Sequence, residues 1–138
     1  MAEATLKRRD LIYPELSYKI VGILYETFNS LGYGYKETYY QRAIAANLKS
    51  NKLFFKEQVL AMVKFKGNVI GKFYLDFLIK DKIILEIKKI DRFSKQEINQ
   101  VSGYLKATGL KLGILAHFTR DGIKFKRVLN DDSYIRKN

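Results

Sequence analysis

A chain of 138 residues, 47% of them apolar, is long enough for one domain with a modest core and too apolar to stay disordered. Its 26 Lys and Arg against 14 Asp and Glu give a net charge of +12, which fits a polyanionic partner such as nucleic acid or an anionic membrane, or a basic surface that only keeps the fold in solution. The lack of Cys excludes disulfides, thiolate zinc sites and cysteine nucleophiles, and the single His117 excludes a two-histidine site within one chain.

The N-terminal stretch MAEATLKRRDL is basic but lacks the apolar run of a signal peptide, and no segment reaches the length of a membrane span, so the cytosol is the expected location and no membrane is expected as partner. The first helix is predicted over Pro14 to Leu31, with Leu16, Ile20, Ile23, Leu24, Phe28 and Leu31 as its buried stripe, Pro14 early and Gly32 as its stop. After the loop LGYGY, a second helix is predicted from about Lys36 to Leu48, with Tyr40, Ile44 and Leu48 inward. Strands follow over Phe54 to Phe65, irregular through VLAMV, then over Val69 to Ile79 after a turn at Lys66-Gly67-Asn68, and over Lys82 to Ile90 after a tight turn at Lys80-Asp81. These three suit a meander. The next helix, Lys95 to Lys106, has the clearest start, with Ser94 as cap, Glu97 completing a capping box, Phe93 and Ile98 placed for a staple, and Gly109 as stop. LGILAHF reads as a buried strand and GIKFKRVL as an edge strand, with a loosely held tail from Asn130. The order ααβββαββ, with a crossover-length helix before strand four, predicts an α/β (α+β) fold in one domain over residues 1–138, a mixed central sheet flanked by helices.

Asp76, Glu86 and Lys88 lie in the runs FYLDFLI and KIILEIKKI. Period-two alternation puts Glu86 and Lys88 on one strand face, and pairing of the two strands would let Asp76 join them. Two carboxylates beside an apolar interior are costly unless a cation neutralises them, and their oxygens suit Mg²⁺ or Mn²⁺, with the Ile87 carbonyl as a further ligand. Lys88 can orient or deprotonate a water, or stabilise charge on a phosphate. The plain alternative is a pair of solvated acids with Lys88 as neutralising partner. Glu26 and Glu37 are the other acids that can reach in, and both also suit ordinary helix faces. Gln100, near Glu97 and Tyr104, can bind a phosphate or orient water. His117 can bind a phosphate or serve as a hydrogen-bonded structural residue.

Lys64 and Lys66 on one strand face, Lys124 and Lys126 on another, and Lys89, Arg92 and Lys95 with Lys88 around the end of the candidate strand can fix a sugar–phosphate backbone without reading bases. Tyr33, Tyr35, Tyr39 and Tyr40 can stack on an unpaired base or pack on the sheet.

Gly34, Glu37 and Tyr40 resemble the signature of the GxxExxY protein family. GILYETFNSLGYGYKETYYQRAI resembles its opening helices, GKFYLDFLIKDKIILEIKKI its strand pair, and INQVSGYLKATGLKLGILAHF its crossover helix and next strand, together spanning about Glu15 to Leu129. That family looks like a branch of the PD-(D/E)XK nuclease superfamily, which implies a restriction-endonuclease-like core. The resemblance implies Asp76 and Glu86 as the motif acids, Lys88 as its lysine, Glu26 as the helix-borne acid and Gln100 as the polar residue of the crossover helix. Leu75 stands where the superfamily's proline would be. The expected activity is Mg²⁺- or Mn²⁺-dependent phosphodiester hydrolysis on DNA, with RNA as the other substrate class and a homodimer compatible with cutting both strands. The alternatives are a non-catalytic nucleic-acid-binding or accessory protein, and an interaction module whose acids are only solvated.

Overall fold

The computed structural model describes residues 12–130; the basic N-terminal stretch and the tail beyond Asn130 lie outside the described residues. The elements are α1 (Pro14–Leu31), α2 (Glu37–Ser50), β1 (Phe55–Phe65), β2 (Asn68–Ile79), β3 (Ile83–Lys88), α3 (Lys95–Thr108), β4 (Leu112–Thr119) and β5 (Gly122–Leu129). The order ααβββαββ agrees with the sequence reading. Among the described residues no helix is long and apolar enough to cross a membrane.

The five strands form one sheet in the order β1-β2-β3-β4-β5. β3 and β4 run parallel, as the crossover through α3 requires, and every other pair is antiparallel. One face carries the larger core. Ile20, Ile23 and Leu24 of α1 and Tyr40, Ile44 and Leu48 of α2 pack there on Phe77, Ile79, Leu85, Ile87, Ile114 and Phe118. The other face carries α3, whose Val101 and Leu105 pack on Leu75, Ile84, Leu115 and Val128. At Gly113 an added Cβ would lie 2.7 Å from a Val101 methyl, so the glycine is what lets α3 lie close to β4.

The predicted caps form. Ser94 Oγ accepts from the Glu97 main-chain N–H at 3.1 Å, and Gly109 ends α3 in the left-handed conformation (φ 75°). Phe93 and Ile98 both pack against the second core. Lys80 and Asp81 both take positive φ (53° and 55°), the pair of values a type I′ turn demands, without glycine. The irregularity expected in β1 has two parts. The register slips between Val63 and Lys64, and Gln58 sits in the left-handed region (φ 50°). The slip, and the position of Lys66 in the turn beyond β1 (φ 50°), correct the expectation that Lys64 and Lys66 share one strand face.

One departure from regular alternation positions the site. Residues two apart on a strand share a face. In β2, however, Phe77 and Ile79 belong to the first core, whereas Leu75 and Phe73 belong to the second. β1 does the same, with Phe55 against the first core and Val59 against the second. The hairpin therefore turns over between these residues, at Gln58 and Asp76. β2 also leaves β3 here: the two pair only through Ile79↔Ile83, Leu78↔Ile84 and Phe77↔Leu85, while β3 runs on beside β4 to Lys88↔His117.

Candidate active site

Where β2 and β3 part, main-chain N–H groups lose their ladder partners, and leaving them buried without acceptors would be costly. Carboxylates replace the missing ladder. The Asp76 N–H donates to Glu86 Oε2 at 2.7 Å, and the Ile87 N–H donates to Asp76 Oδ2 at 2.9 Å. Each acid thus commits one oxygen to the neighbouring strand. A third acid extends the pattern: the Lys89 N–H donates to Glu37 Oε1 at 3.0 Å, so the start of α2 is tied to the end of β3.

Burial raises the pKa of Asp76; the Ile87 N–H and the Lys88 charge oppose that rise, the Glu37 charge adds to it, and a hydrogen bond from Gln58 opposes it. Glu86 is 5% exposed and is pushed up to about 8, first by burial and then by the Asp76 charge; the Asp76 N–H and the Lys88 charge oppose this, and the Glu37 charge adds to it. The Tyr104 phenol is pushed up to about 12, first by burial and then by the charges of Glu86 and Asp76, which places it beside the acids from α3.

Asp76 and Glu86 are brought together by these hydrogen bonds, and the Lys88 charge acts on both. Ile84, two residues before Glu86, packs in the second core, so Glu86 and Lys88 lie on the α3 side of β3. Of the two helix acids, Glu37 is the one whose charge acts on Asp76 and Glu86; Glu26 stands exposed on α1, off the buried stripe. Gln100 is exposed and lines a groove of about 750 Å³ between the β1–β2 hairpin and α3, together with Lys64, Phe73, Asn99, Tyr104 and Lys106. The Tyr104 and Phe73 rings stack at 4.0 Å in the wall of that groove. His117 is fully buried, with Nε2 2.7 Å from Glu97 Oε2 and its ring stacked on Phe93 at 3.9 Å, which is the structural alternative.

Arg92 is exposed in the connection from β3 to α3, Lys95 is exposed at the first position of α3, and Lys124 and Lys126 are exposed on β5. The Lys89 ammonium lies 5.2 Å from the Tyr33 ring centroid, and that of Lys126 lies 5.3 Å from Phe93. Gly34, Glu37 and Tyr40 fix the α1–α2 loop. Gly34 takes φ 118°, Glu37 binds the end of β3, and the buried Tyr40 hydroxyl donates to the Gly32 carbonyl at 2.6 Å.

Sequence reasoning missed Gln58. The register on either side puts it opposite Asp76, and its side chain acts to lower the Asp76 pKa. The turn at Lys66-Gly67 pairs Lys64 with Val69, and only the slip between Val63 and Lys64 brings Gln58 opposite Asp76 rather than Leu75, so the hairpin turn alone does not reveal the pairing. The left-handed backbone at Gln58 has no sequence signal.

Among the described residues no three His, Cys, Asp or Glu side chains form a ready-made metal cage. Two carboxylates are nevertheless the usual protein share of a Mg²⁺ site completed by waters and substrate phosphate. Acids whose ionised form is disfavoured by burial and mutual repulsion are also what a cation would relieve. The donor chemistry of Asp76 and Glu86 therefore suits a hard divalent cation.

The PD-(D/E)XK nuclease superfamily model matches residues 14–128. No curated protein matches the chain. Among solved structures, an alkaline exonuclease (LHK-Exo) from Laribacter hongkongensis is similar with a TM-score of 0.50 and 16% identity, over 67% of this chain and 55% of that one. The crystal structure of SSO0001 is similar with a TM-score of 0.53 and 22% identity, over 74% and 59% of the two chains. The chain spans less than two thirds of either structure, and at these identities the likeness is one of fold.

Proposed function

The chain belongs to the PD-(D/E)XK nuclease superfamily, and from that premise we propose that it is a divalent-cation-dependent nuclease, hydrolysing phosphodiester bonds in nucleic acid, with DNA as the leading substrate class and the GxxExxY family as its branch. The reading is carried by one observation: Asp76 and Glu86 are held by each other's strands, with the Lys88 charge acting on both.

Asp76, Glu86 and the Ile87 carbonyl would hold Mg²⁺ or Mn²⁺, with Glu37 as the helix-borne acid nearest the pair. When bound, the cation would supply Lewis-acid chemistry, offsetting charge on the phosphate and easing deprotonation of the attacking water. Lys88 is placed to hold that water or to donate to a non-bridging phosphate oxygen as negative charge grows there. Tyr104 of α3 feels the charges of both acids, and its neutral hydroxyl adds no competing anion. Gln100 and Lys64, in the adjoining groove, are suited to the strand on either side of the cut. Lys89, Arg92, Lys95, Lys124 and Lys126 would position the backbone.

The test is incubation of the full chain with supercoiled, linear, single-stranded and branched DNA, and with RNA, in Mg²⁺, Mn²⁺ or EDTA, beside Asp76→Ala and Lys88→Ala. Cleavage that needs the cation and both side chains is the expected result. A second reading is a nucleic-acid-binding protein without catalysis, in which the net charge of +12 serves binding alone. Salt-sensitive binding with no cleavage on any of these substrates would establish it.

A further inference from the structure

Four tyrosines fall within residues 33–40, and only Tyr40 is buried. Tyr33, Tyr35 and Tyr39 are 41%, 43% and 46% exposed, on the loop and first turn that Glu37 anchors to β3 one residue past Lys88. Other large rings are exposed too, such as Tyr18, Phe54, Phe65 and Tyr74, but here three gather on one short segment.

The rings are held rather than loose. The Tyr35 N–H donates to the Tyr40 hydroxyl at 3.4 Å, and the Tyr35 ring meets Tyr40 edge-on, with centroids 6.1 Å apart. Tyr39 lies tilted against Tyr35 at 6.3 Å. Cations flank them, with Lys89 over Tyr33 at 5.2 Å and the Arg42 guanidinium 5.9 Å from the Tyr39 centroid. Exposed rings pre-ordered between cations match the chemistry of an unpaired nucleobase, which offers a π-face to the ring and a phosphate to the cation. A paired duplex hides its base faces, so this surface gains little from one.

We propose that Tyr35 and Tyr39, flanked by Arg42 and Lys89, form a stacking platform for unpaired bases, so that the protein selects nucleic acid with a single-stranded segment next to the scissile phosphate. This rests on the nuclease reading for the position of the cut, but recognition itself can be measured without cleavage.

The experiment is fluorescence anisotropy of labelled oligonucleotides with the full chain in EDTA. A blunt duplex is compared with the same duplex bearing a single-stranded overhang, and with that overhang made abasic. The overhang should bind roughly fivefold or more tighter than the blunt end. Abasic sites should remove that advantage, Tyr35→Ala with Tyr39→Ala should bring the ratio close to one, and Tyr35→Phe should preserve it. Equal binding of blunt and overhanging duplexes by the wild type would overturn the platform while leaving the nuclease reading standing. An advantage that survives both alanines would place the recognition elsewhere and also overturn it. Binding to none of the three would overturn the platform as well, while the cation-dependent cleavage assay decides the nuclease reading separately.

Discussion

Asp76 and Glu86 exchange main-chain partners across the point where β2 leaves β3. The Glu86 carboxylate accepts the Asp76 N–H, and the Asp76 carboxylate accepts the N–H of Ile87, next in chain after Glu86. The two acids thereby do the work of the ladder that ends at Phe77↔Leu85. The parting of the strands and the clustering of charge have one structural cause, and removal of either acid is expected to loosen the sheet as well as the site.

Lys88→Ala is expected to slow cleavage by about a hundredfold or more, with nucleic-acid affinity changed only a few fold, because its interaction grows as charge develops on the phosphate. Single-turnover rates beside equilibrium binding check this. Equal losses in both would make Lys88 a binding residue only.

Glu86 sets a stability trend with pH. Its folded pKa of about 8 lies above the ordinary 4.5, so between these values the folded protein holds a proton the unfolded chain has lost. Stability without a cation therefore falls as pH rises through that window and levels off above it. Asp76, also raised, acts in the same direction. Glu86→Gln keeps an acceptor for the Asp76 N–H but has no charge to bury. In EDTA at pH 8 the variant should melt above the wild type, with a shallower pH slope, and in Mg²⁺ it should not cleave. Parallel melting-pH curves would show that the acid is not strained by its surroundings.

Glu37 has two separable effects, as acceptor for the Lys89 N–H and as a charge near Asp76 and Glu86. Glu37→Gln should retain stability, whereas Glu37→Ala should lose about 1–3 kcal/mol by leaving the Lys89 N–H without its acceptor. Denaturant titration of the two variants measures the difference. In parallel, cleavage by Glu37→Gln should fall further than cleavage by Glu26→Gln, because Glu26 is exposed on α1.

Much of this was legible beforehand for plain reasons. The apolar stripe of α1, the Ser94 cap and the period-two run of β3 each encode local geometry that the tertiary structure keeps. Their register also brought Asp76 to Glu86. What could not be read was where alternation fails. Phe73 and Leu75 carry the same pattern as Phe77 and Ile79 yet pack on the opposite face, because the strand turns over at Asp76. Glu37 presented as a helix-start acid, and its link to Lys89 spans 52 residues, beyond any local pattern.

Gln58 holds a left-handed conformation (φ 50°) that costs a side chain about 1–2 kcal/mol and that glycine takes freely. Gln58→Gly should therefore be more stable than Gln58→Ala by about that amount. Both should lower cleavage, since each removes the side chain that opposes the rise in the Asp76 pKa. Equal stability of the two variants would mean that the backbone at this position relaxes without cost.

The most direct measurement is the rate of DNA cleavage in Mg²⁺ and in EDTA by the wild type and by Asp76→Asn, which is close in shape but lacks the charge that would hold a cation. Cleavage by the wild type in Mg²⁺ alone, with none by the variant, is the expected result. Cleavage that continues in EDTA, or in Asp76→Asn at the wild-type rate, would contradict a cation held between Asp76 and Glu86.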